Sequence, residues 1–593
     1  MCGIIGYTGS QNAVPLIIEG LKKLEYRGYD SAGIAIFGKG SINVQKCKGR
    51  ITALEQLISK TIVHYPLSIV NCSLGHTRWA THGEPSDVNS HPHVSGNNKI
   101  AIVHNGIIEN YKELKEDLQA KGANFVSETD SEVIAQLAEY YHDGDILTTV
   151  TKLTSRLKGS YALGIMLCDR PDLLVAVKKD NPLIIGVSEH GNFIASDIPA
   201  VLKHTNKIYY LEDHEIALLY KDRVEFYGVD GAPIAKTLET VTWSVGDAEK
   251  GGEAHFMLKE IKEQPKILRD TINSLLSEGE NKKTLDNFEI TRYNKIVIVG
   301  CGSAYNAGVV AKYVFERLCR FPCIEVELAS EFRYKDAVID EKSLVILISQ
   351  SGETADTIAA MREAKAKHAD TFAIVNVIGS TLAKEAAYRI YTAAGPEIAV
   401  ATTKAFSAQL IVLYMMAVRF SGREDLLPEI EAIPEKVAEI LKQAEAIREL
   451  AQHCTRHKCI FFIGRNIDYA IALEGSLKLK EISYIHSEAY AGGELKHGTI
   501  SLIEDGTLVV AIANCKTLHG KIMSNVEQVQ SRGAKVILVG NCAESDIPLP
   551  DCYELFSPSL SAIALQLFSY YVALEKGLDI DKPRNLAKSV TVE

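Results

Sequence analysis

The sequence predicts a multidomain protein of mixed α+β and α/β class: one mixed domain over about the first 240 residues, then two similar doubly wound α/β domains. Three observations predict this. The chain has 593 residues, too many for a single hydrophobic core. Its first part alternates short β-like runs with helical stretches and polar turns. Beyond residue 263, buried-looking strands alternate with long helices, and that pattern occurs twice.

Composition narrows the class. A hydrophobic fraction of 46% and a charged fraction of 23% describe a soluble globular protein. Lys+Arg 64 against Asp+Glu 75 gives a net charge of −11, which suggests neither a nucleic acid nor an anionic membrane as partner. An anionic ligand must therefore be held by a local site. Twelve cysteines without a CxxC pair argue against a disulfide framework or zinc ribbon and for a reducing compartment. No signal peptide is expected ahead of Cys2, and the longest apolar run, near 408–418, is too short to span a bilayer. The expected location is cytoplasmic.

The chain opens Met1-Cys2-Gly3-Ile4-Ile5-Gly6. Once Met1 is removed, which the small residue at position 2 permits, a cysteine thiol stands beside a free α-amine. A thiol with a pKa near ~8.5 is only about 3% thiolate at pH 7, so it needs a base. An α-amine with a pKa of about 7.8 is roughly 14% neutral there and can serve. Strands are expected over 33–37, 99–104, 161–168 and 183–187, and helices over 14–24 and 131–141. The loops between them are rich in polar residues. Residues 26–33 read as a turn between helix and strand. Residues 75–83 put Arg78, Trp79, His82 and two threonines together, and an arginine fork grips a carboxylate. His104-Asn105-Gly106 follows a strand, where an amide and a glycine N–H can point at one oxyanion. Asp130 opens a helix and reads equally as its cap.

Together, Cys-Gly-Ile-Ile-Gly at 2–6, Tyr-Arg-Gly-Tyr-Asp-Ser-Ala-Gly at 26–33, Gly-His-Thr-Arg-Trp-Ala-Thr-His-Gly at 75–83, His-Asn-Gly at 104–106 and Glu-Thr-Asp-Ser at 128–131 resemble the class II, N-terminal-nucleophile glutamine amidotransferases. The resemblance implies an αββα glutaminase domain in which Cys2 attacks the glutamine amide. It also implies that Asn105 and Gly106 form the oxyanion hole, that Arg78 holds the α-carboxylate and Asp130 the α-amino group, and that Trp79 gates ammonia, with His82 in the same loop. Histidines 76, 82, 91 and 93 match no standard ligand spacing, so no metal is expected.

Residues 240–263 read as a polar, glycine-rich linker ending in a helix start. In the repeated part, 295–300 answers 459–464, 343–349 answers 507–513, and 372–379 answers 534–540. Gly300-Cys301-Gly302-Ser303-Ala304-Tyr305 imitates a dinucleotide fingerprint but lacks its third glycine, so a nicotinamide cofactor is not expected. The loop 349–357, between a strand and a helix, supplies hydroxyls and free N–H groups at a helix N-terminus, a cradle for phosphate.

This loop and the doubled α/β pattern resemble the sugar isomerase (SIS) fold. Joined to the glutaminase motifs in this order, they resemble the family of glutamine:fructose-6-phosphate aminotransferases over essentially the whole chain. That resemblance implies glutamine and fructose 6-phosphate as substrates, glucosamine 6-phosphate and glutamate as products, the first step of hexosamine biosynthesis, channelled ammonia, and no PLP or metal. It implies Ser349, Gln350, Ser351 and Thr354 on the phosphate and Val400 and Thr402 near the sugar. Where the family has Gly-Thr-Ser-Tyr, this chain has Gly302-Ser303-Ala304-Tyr305, and Ser303 is expected to replace part of the missing hydroxyl. Thr402 stands for the commoner serine, and Thr499 for a common proline.

Glu474, Lys478 and Glu481 share one helical face, which alone reads as a solvated ion-pair stripe. By resemblance Glu481 is the base that moves a proton between adjacent sugar carbons, and Lys478 assists. His497 matches the residue that opens the sugar ring from the neighbouring subunit, so a homodimer is expected. The tail 583–593 reads alone as a frayed end. By resemblance Lys588 forms a Schiff base with the sugar ketone, and the tail closes the site. The expected domains are 2–223 (glutaminase), 224–284 (linker and connecting helix), 285–424 and 453–583 (SIS copies) and 584–593 (catalytic tail). Two rival readings remain: an amidotransferase with another acceptor, which lacks support from any ATP-cleaving loop, and a phosphosugar sensor, which would bind sugar without turnover.

Overall fold

The computed structural model describes residues 2–38, 40–61, 70–241 and 245–591. The expected removal of Met1 and the last two residues of the tail lie outside them. The chain forms two compact units, 1–248 with 587–593, and 249–586.

Among the described residues the first unit holds fourteen strands: β1 (Gly3–Gly9), β2 (Ser31–Gly38), β3 (Ser41–Lys48), β4 (Cys72–Arg78), β5 (His93–Val94), β6 (Ile100–Ile108), β7 (Gly159–Leu167), β8 (Arg170–Lys179), β9 (Ile184–Ser188), β10 (Gly191–Ala195), β11 (Lys207–Tyr210), β12 (Ile216–Leu219), β13 (Val224–Tyr227) and β14 (Glu239–Thr240). They form two antiparallel sheets, ordered β14-β11-β9-β10-β1-β4-β2-β3 and β13-β12-β8-β7-β6-β5. Side-chain alternation explains the layering. In β6, Ala101 and Val103 enter a core between the sheets, shared with Ile4, Leu74, Met166 and Ile194. Ile100 and Ile102 face the other way, against helices Tyr111–Ala120, Glu132–Tyr141 and Ile146–Arg156 through Leu114, Val133 and Val150. Ile5 and Tyr7 of β1 pack on helix Ala13–Leu24 through Ile17 and Leu21. The result is an αββα sandwich. The unit runs past the expected limit at 223 because β13 pairs with β12 and β14 with β11.

The second unit contains two five-stranded parallel sheets. One, ordered β16-β15-β17-β18-β19, uses β15 (Lys295–Gly300), β16 (Ile324–Leu328), β17 (Ser343–Ser349), β18 (Asp370–Val375) and β19 (Tyr388–Tyr391). The other, ordered β21-β20-β22-β23-β24, uses β20 (Cys459–Gly464), β21 (His486–Ala491), β22 (Leu508–Ala513), β23 (Lys535–Gly540) and β24 (Ile547–Pro548). The copies correspond at a shift of 164 residues: Val299 pairs with Leu347 as Ile463 pairs with Ala511. The strand order reverses between β15 and β17, so the loop after β17 opens onto the crevice where doubly wound sheets bind ligands.

One core joins the copies, with Ile298 and Phe315 of the first and Phe462 and Ile471 of the second, around helices Lys404–Ser421 and Pro558–Glu575. The stretch Glu554–Glu575 is long and apolar enough to cross a membrane by length and composition, and its apolar window is wholly buried. Ser559, Ser561, Gln566 and Ser569 interrupt it in sequence, yet all four are buried.

Candidate active sites

In the first unit the N-terminal strand carries Cys2 to the end of β4. The backbone N–H of Trp79 lies 3.4 Å from the Cys2 sulfur, and the Trp79 carbonyl lies 3.6 Å from it. Burial pushes the Cys2 thiol up, while the Trp79 N–H and Arg78 pull it down and Asp130 pushes it up again. The carboxylate and the guanidinium that sequence motifs singled out thus converge electrostatically on the thiol.

The segment 78–80 is braced by the 26–33 turn. Asp30 accepts the Ala80 N–H at 2.9 Å and donates its own N–H to the Arg78 carbonyl at 3.0 Å. Tyr26 and Arg27 both bond Asp197, with Arg27 Nε at 3.0 Å. Arg78 is buried and donates to the carbonyls of Gly83 at 2.9 Å, Glu84 at 3.4 Å and His82, so it shapes the loop that carries it. His82 stands edge-on to the Tyr111 ring, centroids 5.4 Å apart.

Asn105 and Gly106 lie within β6 rather than after it. Asn105 Nδ2 donates to the Cys2 carbonyl at 3.0 Å, beside the thiol. Gly106 has φ +134°, and a Cβ there would stand 2.1 Å from the Ser160 carbonyl oxygen, so only glycine lets the strand turn here. Asp130 does not cap the following helix, whose N-cap is Ser131. Its Oδ2 accepts the Ile108 N–H at 2.8 Å, which pins it to the end of β6.

Sequence reasoning missed the role of His76. Burial lowers it to about 3, so it is neutral. Its Nε2 lies 3.0 Å from the His104 carbonyl, which can only accept, so Nε2 carries the proton and donates also to Asn105 Oδ1 at 3.1 Å. This fixes which end of the Asn105 amide faces Cys2. His76 stands opposite Ile4 in the pairing of β4 with β1. His76 stacks on His91 at 4.1 Å, and His91 meets His93 edge-on at 4.6 Å. His93 bonds Thr129 at 3.0 Å and His104 bonds Ser131 at 2.8 Å, so these rings brace the site by packing and hydrogen bonds.

In the second unit the loop after β17 folds on itself. The Ser349 hydroxyl meets that of Thr354 at 3.0 Å and accepts the Gly352 N–H at 3.0 Å, and Ser351 Oγ accepts the Glu353 N–H at 3.1 Å. Gln350 accepts the Asn376 N–H through its carbonyl at 3.1 Å. Thr354 is the N-cap of helix Ala355–Ala366 but makes no side-chain cap bond, so its hydroxyl faces Ser349. Gly352 has φ +67°, and a Cβ there would lie 2.1 Å from Ser380 Oγ. Val400 is buried and Thr402 half-buried, in a loop whose Thr403 and Ala405 N–H groups are held by Glu397 at 2.9 and 3.1 Å.

Helix Ile467–Ser483 brings Glu474, Lys478 and Glu481 together, and the solvated-stripe reading fails. Glu474 and Lys478 are each 1% exposed. Lys478 Nζ lies 2.6 Å from Glu481 and 3.5 Å from Glu474. Burial pushes Lys478 down, but the carboxylates of Glu481 and Glu474 outweigh it and hold it up, so Lys478 stays a cation. Burial raises Glu474. Ser303 Oγ donates to Glu474 Oε1 and Asn306 Nδ2 to Oε2, each at 2.9 Å. The Ser303 hydroxyl, expected by resemblance near the phosphate, here lies against the buried Glu474 carboxylate. His497 is exposed, in a short turn (Glu494–His497) anchored by buried Leu495.

Just before the tail, Asp581 caps helix Phe256–Lys262 through the Phe256 and Met257 N–H groups at 2.9 and 3.0 Å, and within the tail the Arg584 N–H bonds the Tyr484 hydroxyl at 2.7 Å. From Ala587 on, the tail belongs to the first unit: Thr591 Oγ1 donates to Asn181 at 2.7 Å, and Ser589 and Thr591 are buried. Lys588, half-buried, is on this stretch, while Glu481 and the 349–354 loop are in the other unit.

The motifs match known families. A glutamine amidotransferase domain model matches 76–203, and a SIS domain model matches 289–419 and 454–576. The glutamine–fructose-6-phosphate aminotransferase (isomerising) of Clostridium acetobutylicum is 52% identical over 615 aligned residues, covering 100% of both chains. The chain belongs to the glutamine–fructose-6-phosphate aminotransferase family. The member from Caldanaerobacter subterraneus subsp. tengcongensis is also 52% identical over the full length of both. A solved C-terminal domain of glucosamine-fructose-6-phosphate aminotransferase from Francisella tularensis, 38% identical, covers 56% of this chain and 99% of its own, with a TM-score of 0.53.

Proposed function

We propose that the chain converts glutamine and fructose 6-phosphate to glutamate and glucosamine 6-phosphate, as its aminotransferase relatives are named for doing. The observation that carries this reading is that one chain combines a Cys2 sulfur beside the Trp79 N–H and the Asn105 amide with a hydroxyl-lined loop at the crevice of a doubly wound sheet. In the first unit the Cys2 thiol, its proton taken by the α-amine left after Met1 removal, attacks the glutamine amide carbon. Asn105 Nδ2 and the Gly106 N–H receive the oxyanion, Arg78 and Asp130 hold the amino-acid end, and ammonia leaves behind a thioester that water cleaves to glutamate.

In the second unit Ser349, Gln350, Ser351 and Thr354 hold the phosphate, with Val400 and Thr402 along the sugar. Lys588 condenses with the ketone, ammonia displaces it, and Glu481 moves the proton between C1 and C2 beside the Lys478 cation. His497, exposed on its own chain, opens the ring in a neighbouring copy, which makes the enzyme a homodimer. Ammonia passes between sites past Trp79, shielded from the water that would protonate it. The enzyme works in the cytoplasm without PLP or metal.

Amino-sugar and glutamate assays on three proteins test this. Wild type should yield both products. Cys2→Ala should lose glutamine use, and Lys588→Ala should keep glutamine hydrolysis alone. Amino-sugar formation from glutamine by Cys2→Ala would refute the assignment.

A further inference from the structure

The two α/β copies correspond closely enough to compare their anion cradles residue by residue. Gly302 and Asn466, matched at the 164-residue shift, have nearly the same backbone, φ 55° and ψ −126° against φ 56° and ψ −127°. Two positions later Ala304 is matched by Asp468, and Gln350 and Ser351 are matched by Asn514 and Cys515.

Asp468 is 1% exposed, at the start of helix Ile467–Ser483. Its Oδ2 accepts the backbone N–H of Asn514 at 2.9 Å and of Cys515 at 3.0 Å, and its Oδ1 accepts Asn514 Nδ2 at 3.1 Å. Asn514 Nδ2 is itself 2.8 Å from Ser561 Oγ. A carboxylate thus sits on the loop that follows β22, at the place corresponding to the loop after β17. A second, independent change points the same way. The three hydroxyls of the first loop, at 349, 351 and 354, become Ala513, Cys515 and Leu518 in the second. At those three positions the second loop has lost its hydroxyl donors, and beside it stands an internal anion. Burial pushes the Asp468 carboxyl up to about 6 against the pull of those N–H groups, so at neutral pH it is still an anion.

We propose that the second copy retains an anion cradle of the same build as the first, that the Asp468 carboxylate occupies it, and that this confines phosphosugar binding to the first copy. Ala304, at the matching position, has no polar side chain to play that part. The inference rests on the reading of 349–354 as a phosphosugar cradle. A backbone N–H pair at a helix start attracts whichever anion is nearest, and a tethered carboxylate wins by its effective concentration.

Equilibrium dialysis of the full chain with fructose 6-phosphate and with labelled inorganic phosphate tests it. Wild type should bind one fructose 6-phosphate per chain. Asp468→Ala should keep that site and add a second, weaker site for inorganic phosphate. Asp468→Asn, which keeps an acceptor oxygen for the same N–H groups, should add none. A folded Asp468→Ala protein with no added site would overturn the inference and leave the first cradle standing. Wild type without bound fructose 6-phosphate would overturn the first cradle and the inference with it. The reciprocal graft covers the case in which Asp468→Ala does not fold: Ala304→Asp should weaken fructose 6-phosphate binding at least about 10-fold more than Ala304→Asn, because only the former puts a like charge against the phosphate. Equal weakening by the two would overturn the inference.

Discussion

At the scale of single residues, the surroundings of Cys2, the proposed nucleophile, are set by neutral groups as much as by charged ones. His76 is held uncharged by burial, to about 3, and through Nε2 it fixes the Asn105 amide. His76→Ala should therefore lower the glutaminase kcat by roughly 100-fold, near the cost of losing one oxyanion donor, with little change in KM. Steady-state kinetics decide it, and a loss confined to KM would contradict the role. Asp468 gives a pH test. Its folded value, about 6, lies above the roughly 3.9 of an unfolded aspartate, so the folded protein binds that proton more tightly. The stability this confers is full below pH ~4 and is lost as pH rises through about 6. Measured by thermal unfolding, wild type should lose Tm relative to Asp468→Asn across that window, and a difference that stays constant with pH would contradict it. The motif residues Cys2, Arg78 and Trp79 stand out in sequence because each offers distinctive chemistry. His76 does not, because its work is to orient another side chain, which depends on β4 lying beside β6 in space.

At the scale of elements, the 349–354 loop and helix Ile467–Ser483 do the positioning. Gly352→Ala forces a Cβ to 2.1 Å from Ser380 Oγ at a left-handed backbone position. It should raise the KM for fructose 6-phosphate by at least about 10-fold, given about 1–3 kcal/mol of strain at such sites, and leave glutamine hydrolysis in place. An unchanged KM would show that the loop does not hold the sugar. Lys478 stands 1% exposed between two carboxylates, so Lys478→Ala leaves Glu474 buried beside Glu481 without a cation. Such a change costs about 3–5 kcal/mol, and chemical denaturation should show it. The spacing of Glu474, Lys478 and Glu481 gave one helical face without saying which way it points. A surface stripe and a buried relay share the same periodicity, and only the packing of helix Ser303–Leu318, through Ser303 and Asn306, separates them. The same limit explains Asp130: a helix-start aspartate suggests a cap, while the bond it makes to Ile108 comes from β6, 22 residues away.

At the scale of the whole molecule, the doubled α/β pattern and the mixed first domain were readable because alternation of strands and helices is a local property repeated along the chain. The exact end of the first unit was not, since β13 and β14 join it through pairing with β12 and β11. The tail was half readable. Its motif marked Lys588, whereas the grouping of 587–593 with the first unit emerges only in three dimensions. Lys588→Ala should abolish amino-sugar formation while glutamate release persists, and parallel loss of both activities would argue that the tail serves the first unit alone. The most direct test of the account is to incubate the wild-type chain, freed of Met1, with glutamine and fructose 6-phosphate and to quantify both products. The account predicts glucosamine 6-phosphate and glutamate in equal amounts. Glutamate released with no amino sugar would contradict it.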